Sequence, residues 1–573
     1  MIAAVGSIRC RWRWRGTGIV AGAVLLLAVA GRGRADDAPV PMFGLVEVSL
    51  VDGTDFANPF GDAVCEAEFT APSGRRVRVG GFYDGDRTWR VRFVPREHGN
   101  WTWTARVSGG AAPAETNGAF RCAGRQGHGF LRIARANPFR YEYEDGTSFY
   151  PIGIQTCDFL QPDFDGPAAE NSPPRFVSNA EWLAAFTGAV NLVRTQFGQG
   201  TKAGCALPLI AVPNEGAPGV WAADRYDLDL ARRIDDVYRE QRAAGISQIL
   251  ILFQDMSLWG NGATAFGHAR DLQGYKNRDA ENLALQEQYM RYVVARYGAF
   301  VDIWELFNED SYAPADYLAH LAGVIRAADP YGHLLTTNYG RPGADWCDLT
   351  TWHEYMAMPA REVDAYVVSQ IALFKSRGKL VQNTEFGNQG ALSNVDPVKW
   401  RIAVWAAHLH ESSLVFWSMS QRQFPAGHLT NGNANAYIGP DTRRAFRVFH
   451  DVTAGLPVDM RPVAVGYVDQ RQVRAYALAG DGRALVYVHQ VADHMTAITL
   501  ADPLLVQTGP GRWRARWVAP ESGDELASED VETGQQYLSL RVPPVTVDAV
   551  ARLERIDRVT LDGRALNSGG ATE

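Results

Sequence analysis

The chain has 573 residues, 46% of them apolar and 21% charged. That composition belongs to a folded globular protein, and the length exceeds what one core organises, since single cores stop growing near about 250–300 residues, so two to four domains are expected. The formal charge of −8 repels polyanions at long range and argues against a nucleic-acid partner.

Residues 1–35 read as an export signal. Arg9, Arg11, Arg13 and Arg15 form a basic start, Ile19–Ala30 is apolar, and Gly33-Arg34-Ala35 offers small residues for cleavage. The apolar run has 12 residues, too few to span a hydrocarbon core of about 30 Å as a helix. The expectation is therefore a secreted or periplasmic protein with no membrane contact beyond the signal. An uncleaved anchor is the alternative, because Arg32 and Arg34 crowd the cleavage point. Loss of the signal leaves 50 basic and 64 acidic residues, a formal charge of about −14. It also leaves Cys65, Cys122, Cys157, Cys205 and Cys347, an odd number, so at least one thiol is free or pairs between chains. No CxxC or clustered His/Cys spacing suggests a metal, and no cofactor is expected.

From 40 to 125 short alternating runs predict an antiparallel β-sandwich. Val46–Val51 alternates, Thr88–Pro95 sets Trp89, Val91 and Phe93 on one face against Arg90 and Arg92 on the other, and Trp101–Val107 repeats the pattern. Asn58-Pro59-Phe60, Gly81-Phe82-Tyr83-Asp84-Gly85 and the Trp89–Pro95 strand resemble the immunoglobulin-like domain that precedes many bacterial glycoside hydrolase barrels, over roughly residues 44–122. That resemblance implies a neighbour rather than a chemistry.

From 128 to 457 apolar strand-like runs alternate with amphipathic helices. The strand candidates are Phe149–Gln155, Val190–Gln196, Gln248–Gln254, Val301–Phe307, His333–Thr337, Asp348–His353, Lys379–Glu385 and Ser413–Ser418. Helical patterns cover Ala231–Ala244, Asn282–Tyr297, Asp316–Ala328, Arg361–Ser376 and Pro397–His410. Eight such strands predict a (β/α)₈ TIM barrel. A doubly wound open sheet is the alternative, but no glycine-rich phosphate loop follows the first strand. From 458 to 557 strands return at Val463–Asp469, Val473–Ala479, Ala484–Gln490, Arg512–Val518 and Tyr537–Val542, with Asp481-Gly482 as a hairpin turn, and predict a second β-sandwich. Residues 558–573 read as a flexible tail.

In such a barrel the reactive groups sit at the C-terminal strand ends. The fourth strand ends Trp304-Glu305-Leu306-Phe307-Asn308-Glu309-Asp310 and the seventh ends Asn383-Thr384-Glu385-Phe386-Gly387. Two carboxyls facing one cleft supply what glycosidic cleavage needs: one protonates the leaving oxygen, and the other attacks the anomeric carbon or activates water. Asp310 and Glu305 compete with Glu309 for the acid role, but Glu305 is expected mid-strand, below the mouth. No metal enters this chemistry.

The Asn-Glu step on strand four and the Glu on strand seven resemble the clan of retaining (β/α)₈ glycoside hydrolases that includes glycoside hydrolase family 5. The resemblance implies Glu309 as acid/base and Glu385 as nucleophile. It implies that Asn308 binds the sugar 2-hydroxyl and that Arg194, in Asn191-Leu192-Val193-Arg194, lies beneath the nucleophile and keeps it ionised. His353 and Tyr355 match a His/Tyr pair near the nucleophile, and Trp417 an indole platform under the sugar. The departure is Leu252-Phe253-Gln254-Asp255, where some members carry histidine. Trp259, Tyr339, Trp346 and Trp352 are candidates to line subsites, and the stretches Pro162–Pro174 and Gln421–Tyr437 to shape the cleft.

The expected partner is a poly- or oligosaccharide. Carboxyl groups roughly 5–5.5 Å apart imply retention and roughly 6.5–9.5 Å inversion; the shorter distance is expected. The alternatives are a non-catalytic carbohydrate-binding barrel, a cell-surface structural protein, and a lyase acting on uronic-acid polymers, which calls for a base and a basic patch instead.

Overall fold

Eight parallel strands run in chain order around a barrel: Ile152–Gln155, Leu192–Gln196, Ser247–Gln254, Ile303–Asn308, Leu334–Thr336, Leu349–Met356, Leu380–Asn388 and Ser412–Phe416. The computed structural model describes residues 38–155, 179–196, 224–254, 280–309, 313–339, 341–388, 396–417, 438–466, 469 and 471–557. The ladder is continuous from strand five through strands four to one, and on to eight, seven and six. The seam between five and six is bridged by the Asp348 N–H donating to Leu335 O (2.7 Å) and by the Thr336 and Thr351 hydroxyls donating to the carbonyls of Leu349 (3.3 Å) and Thr337 (3.1 Å). All six residues of Ile303–Asn308 are buried, as expected of a parallel strand covered on both sides.

Helices Asn179–Phe186, Leu228–Ala243, Ala280–Tyr297, Ala315–Ala328, Ala360–Lys375, Pro397–Leu409 and Pro440–Thr453 pack outside. Asp227 and Asp396 cap two of them by accepting from the N–H groups of Leu230 and Lys399, and Pro397 and Pro440 open two at positions that need no N–H. Among the described residues no helix separates strands five and six, and none is long and apolar enough to cross a membrane.

The predicted strand Phe149–Gln155 divides at Pro151, which has no N–H to donate. Phe149 belongs instead to a small antiparallel sheet (Leu131–Ala134, Asn137–Tyr143, Ser148–Phe149). Its Leu131, Tyr141 and Phe149 pack against Leu192, Ile249, Ile303, Leu334, Leu349, Leu380 and Val415, low on seven of the barrel strands. Among the described residues the small sheet thereby covers the barrel floor, at the end opposite the C-terminal strand ends.

The N-terminal region folds as a five-stranded and a three-stranded sheet around Phe69, Trp89, Val91, Phe93, Trp101 and Val107. Arg92, on the predicted polar face, is nonetheless buried, because the barrel covers that face. Its guanidinium meets Asp235 at 2.6 Å and Glu47 at 2.8 Å, and Arg296 shares Asp235 at 2.7 Å. The C-terminal region has a six-stranded and a three-stranded sheet. The Asp481-Gly482 turn joins Val473–Gly480 to Arg483–Gln490, with Gly482 at φ 69°. Strands Leu504–Gln507, Glu525–Thr533 and Asp548–Arg555 were not anticipated; Glu525–Thr533 is a polar edge strand lacking apolar alternation.

Among the described residues, Cys65, Cys122 and Cys347 are buried thiols that form no disulfide, and burial pushes the Cys65 thiol up to about 12. Cys157, Cys205, the export signal, Trp259, the stretches Pro162–Pro174 and Gln421–Tyr437, Asp255, Asp310 and the tail lie outside the described residues, as does the side chain of Gln254.

Candidate active site

Arg194 projects from strand two into the barrel, fully buried. Strand pairing sets it level with Ile249 and Ile303, two residues below Glu305, so its guanidinium reaches up the barrel. It donates from Nε to Glu305 Oε2 (2.8 Å), from Nη2 to Glu305 Oε1 (2.5 Å) and Asn308 Oδ1 (2.8 Å), and from Nη1 to Glu385 Oε1 (2.7 Å) and Gln155 Oε1.

Glu385 arrives through a distortion of strand seven. The register shifts between Trp352 and His353 on one side and between Asn383 and Phe386 on the other, so Thr384 is the extra residue and His353 falls opposite Glu385. Bulges of this kind re-aim side chains next to active sites. Two residues on, a Cβ at Gly387 would lie 1.9 Å from the Trp417 carbonyl, so only glycine lets strands seven and eight meet this closely.

Glu309 ends strand four with φ 49°, in the left-handed region that a glutamate adopts at a cost. That turn lifts its carboxylate out of the strand, where it keeps 23% side-chain exposure against 4% for Glu385. His353 stands between them, its Nδ1 3.0 Å from Glu309 Oε1 and 3.5 Å from Glu385 Oε2. The Asn338 amide nitrogen lies 2.7 Å from His353 Nε2, on the side of the ring away from the carboxylates. The Tyr355 hydroxyl donates to Glu385 Oε2. One donor atom from each of Glu309, His353 and Glu385 falls within a mutual 4.8 Å.

Burial alone raises the pKa of Glu385, but His353, Arg194 and the Tyr355 hydroxyl outweigh it and hold the carboxyl below the usual glutamate range. Burial and the adjacent Glu385 charge push the Tyr355 phenol far up, so it remains a donor. The spacing of Glu309, His353 and Glu385 would also admit a divalent ion. A buried guanidinium already bonded to Glu385 opposes a second cation there, and the donor set is better read as a hydrogen-bonded acid pair.

The structure thus brings Arg194, Asn308, Glu309, His353, Tyr355 and Glu385 together. Trp417 continues strand eight, its N–H donating to Phe386 O at 2.9 Å, half-buried beside the residues that follow Glu385. The Tyr339 ring lies 5.6 Å from that of His353. Trp352 packs into the core instead, stacked on Phe374 at 5.0 Å, and Trp346, like Trp417, is partly buried against a core cluster. Gln155, Asn338 and the pairing role of Glu305 were missed. A carboxylate within an apolar strand was the available signal for Glu305, because such a group demands a buried cation.

Fold and site together define a (β/α)₈ barrel with paired carboxylates at its open end. Residues 39–108 match the family described as a domain of unknown function, DUF5060. The fold is similar to that of a Bacteroides vulgatus protein assigned provisionally to the glycoside hydrolases, at a TM-score of 0.64 and 18% identity, over 91% of this chain and 100% of that one. It is also similar to a glycoside hydrolase family 5 structure from Bacteroides vulgatus, at a TM-score of 0.51 and 13% identity, over 75% of this chain and 93% of that one. No curated protein matches the sequence.

Proposed function

We propose that the chain is a retaining glycoside hydrolase acting on a poly- or oligosaccharide, with Glu385 as nucleophile and Glu309 as acid/base. The observation that carries this reading is the meeting of the two carboxylates, from strands four and seven, with one oxygen of each within 4.8 Å of the other. So close an approach of the two oxygens fits the roughly 5–5.5 Å carboxyl separation of retaining enzymes better than the roughly 6.5–9.5 Å of inverting ones.

In the first step Glu385 attacks the anomeric carbon while Glu309 protonates the leaving oxygen, giving a glycosyl ester and a free hydroxyl. In the second, Glu309 takes a proton from water, which attacks the same carbon and releases Glu385. Arg194 and Tyr355 keep Glu385 ionised before attack and receive it as a leaving carboxylate afterwards. His353 Nδ1 stands between the two carboxylates and orients both. Asn308, held by Arg194, is placed to bind the 2-hydroxyl, and Trp417 to pack under the ring. The N-terminal export signal fits action outside the cytoplasm. Both similar structures are of proteins named as glycoside hydrolases, the first provisionally, which supports the same chemistry here.

The test is a screen of aryl glycosides and of plant and bacterial polysaccharides with wild type and Glu385→Ala. Turnover of at least one substrate by wild type and its loss in the variant are expected. A folded Glu385→Ala protein with most of the activity would discard the assignment.

A further inference from the structure

Glu305 has no place in the reaction just proposed. It sits mid-strand, with no exposed surface and no path to a substrate. Yet a buried carboxylate costs several kcal/mol unless it is paired, and among the described residues this one pairs with the arginine that serves the nucleophile.

A guanidinium has five N–H donors in a rigid fork. Here all five are spent: two on Glu305, and one each on Asn308, Gln155 and Glu385. The double bond from Glu305 fixes the plane of the fork. Once that plane is fixed, one Nη1 hydrogen has to point at Glu385 and one Nη2 hydrogen at Asn308. The charges matter as much. One cation faces two carboxylates whose side chains are 0% and 4% exposed, so the hold of Arg194 is divided. An undivided cation would stabilise the Glu385 carboxylate further and make it a poorer nucleophile. The other groups facing Glu385 are His353 at 3.5 Å, the Tyr355 hydroxyl, and Glu309, with one oxygen within 4.8 Å.

We infer that Glu305 is a positioning residue: it aims Arg194 at the nucleophile and, by sharing the arginine's charge, keeps Glu385 reactive. This rests on the hydrolase reading above.

The test is the pH dependence of kcat and kcat/KM for wild type, Glu305→Gln, Glu305→Asp and Glu385→Gln, on the aryl glycoside that wild type cleaves fastest, with folding checked by near-ultraviolet circular dichroism. Glu305→Gln leaves the whole arginine charge on Glu385, so the acid limb should move to lower pH, with kcat down about 10- to 100-fold and KM little changed. Glu305→Asp keeps the charge but shortens the reach, so it should keep the wild-type acid limb and lose part of kcat. A folded Glu305→Gln protein with wild-type kcat and an unmoved acid limb would overturn the inference. If Glu305→Gln does not fold, Glu305→Asp decides: reduced kcat at an unmoved limb supports the role, and full wild-type kcat overturns it. If Glu385→Gln is itself active, the assignment of Glu385 as nucleophile fails, whatever Glu305 does.

Discussion

Two of the arginine–carboxylate networks among the described residues are built to opposite ends. At the junction of the N-terminal sheets and the barrel the charges alternate around a closed ring. Arg90 meets Glu47 (2.6 Å) and Asp84 (2.7 Å), Arg92 meets Glu47 (2.8 Å) and Asp235 (2.6 Å), and Arg296 meets Asp235 (2.7 Å) and Asp84 (3.0 Å). Three cations alternate with three anions around the ring, and two more arginines approach it from outside, Arg232 to Asp84 (3.4 Å) and Arg239 to Glu47 (3.9 Å). At the barrel mouth, Arg194 is the one arginine among the described residues that faces Glu305 and Glu385, with Glu309 beyond. The ring leaves no carboxylate short of a cation and binds two parts of the chain together. At the mouth the carboxylates outnumber the guanidinium. Ample cations mark the network that holds structure, and their shortage the one proposed to do chemistry.

The sharpest way to break this contrast is mutation on each side of it. Removing the nucleophile with Glu385→Ala should lower kcat by more than about 10³-fold while thermal unfolding stays near that of wild type. Glu309→Ala should lose about 10²–10⁴-fold on substrates with poor leaving groups, and far less on activated aryl glycosides, which need no proton. In the ring, Asp235→Ala strands two buried guanidiniums. It should cost about 3–5 kcal/mol in urea unfolding and leave kcat per folded molecule nearly unchanged. A variant in either network showing the other's pattern would erase the distinction.

Acid sharpens it. Asp235 and Glu385 both have pKa values held below their ordinary ranges by neighbouring cations, against the opposing effect of burial. A depressed carboxyl contributes stability above its unfolded value, about 3.9 for aspartate, and loses that contribution as pH falls through the folded one. Stability should therefore drop on acidification below about 3.9, with Asp235→Asn flattening that drop. The acid limb of kcat/KM should lie below about 4.3, the ordinary glutamate value, and be indifferent to Asp235→Asn. The smallest effect concerns Lys399, where burial brings the ammonium down to about 8. The unfolded chain then binds more protons than the folded one between there and the ordinary lysine value of about 10.4. Stability should rise slightly with pH across that window and cease to do so in Lys399→Met.

The two networks also differ in how far the sequence disclosed them. The mouth was largely legible. Strand ends are marked by apolar runs stopping at polar residues, and chemistry at that barrel end makes Glu309 and Glu385 stand out, while Arg194 and Asn308 enter through the resemblance to the clan that includes glycoside hydrolase family 5. The ring was not. Asp235 and Asp236 are neighbours on one helix, yet the first is buried and the second exposed, and no periodicity distinguishes them until the surface covering the helix is known. Arg92 obeys strand alternation and is still buried, because the face it occupies is covered by a distant part of the chain. The Thr384 bulge that turns Glu385 toward His353, and the left-handed backbone of Glu309, leave no trace in residue types. Trp352 falls near the end of the predicted strand like a candidate subsite residue, but the strand runs on to Met356 and Trp352 packs onto Phe374.

The most direct test of the central claim is to trap the covalent intermediate. Wild-type protein would be incubated with activated 2-deoxy-2-fluoro glycosides, digested and mapped by mass spectrometry. One sugar per chain on the peptide carrying Glu385, with activity lost in step with labelling, is the predicted result. A label on Glu309 or Glu305, or hydrolysis with inversion at the anomeric carbon and no label, would contradict the account.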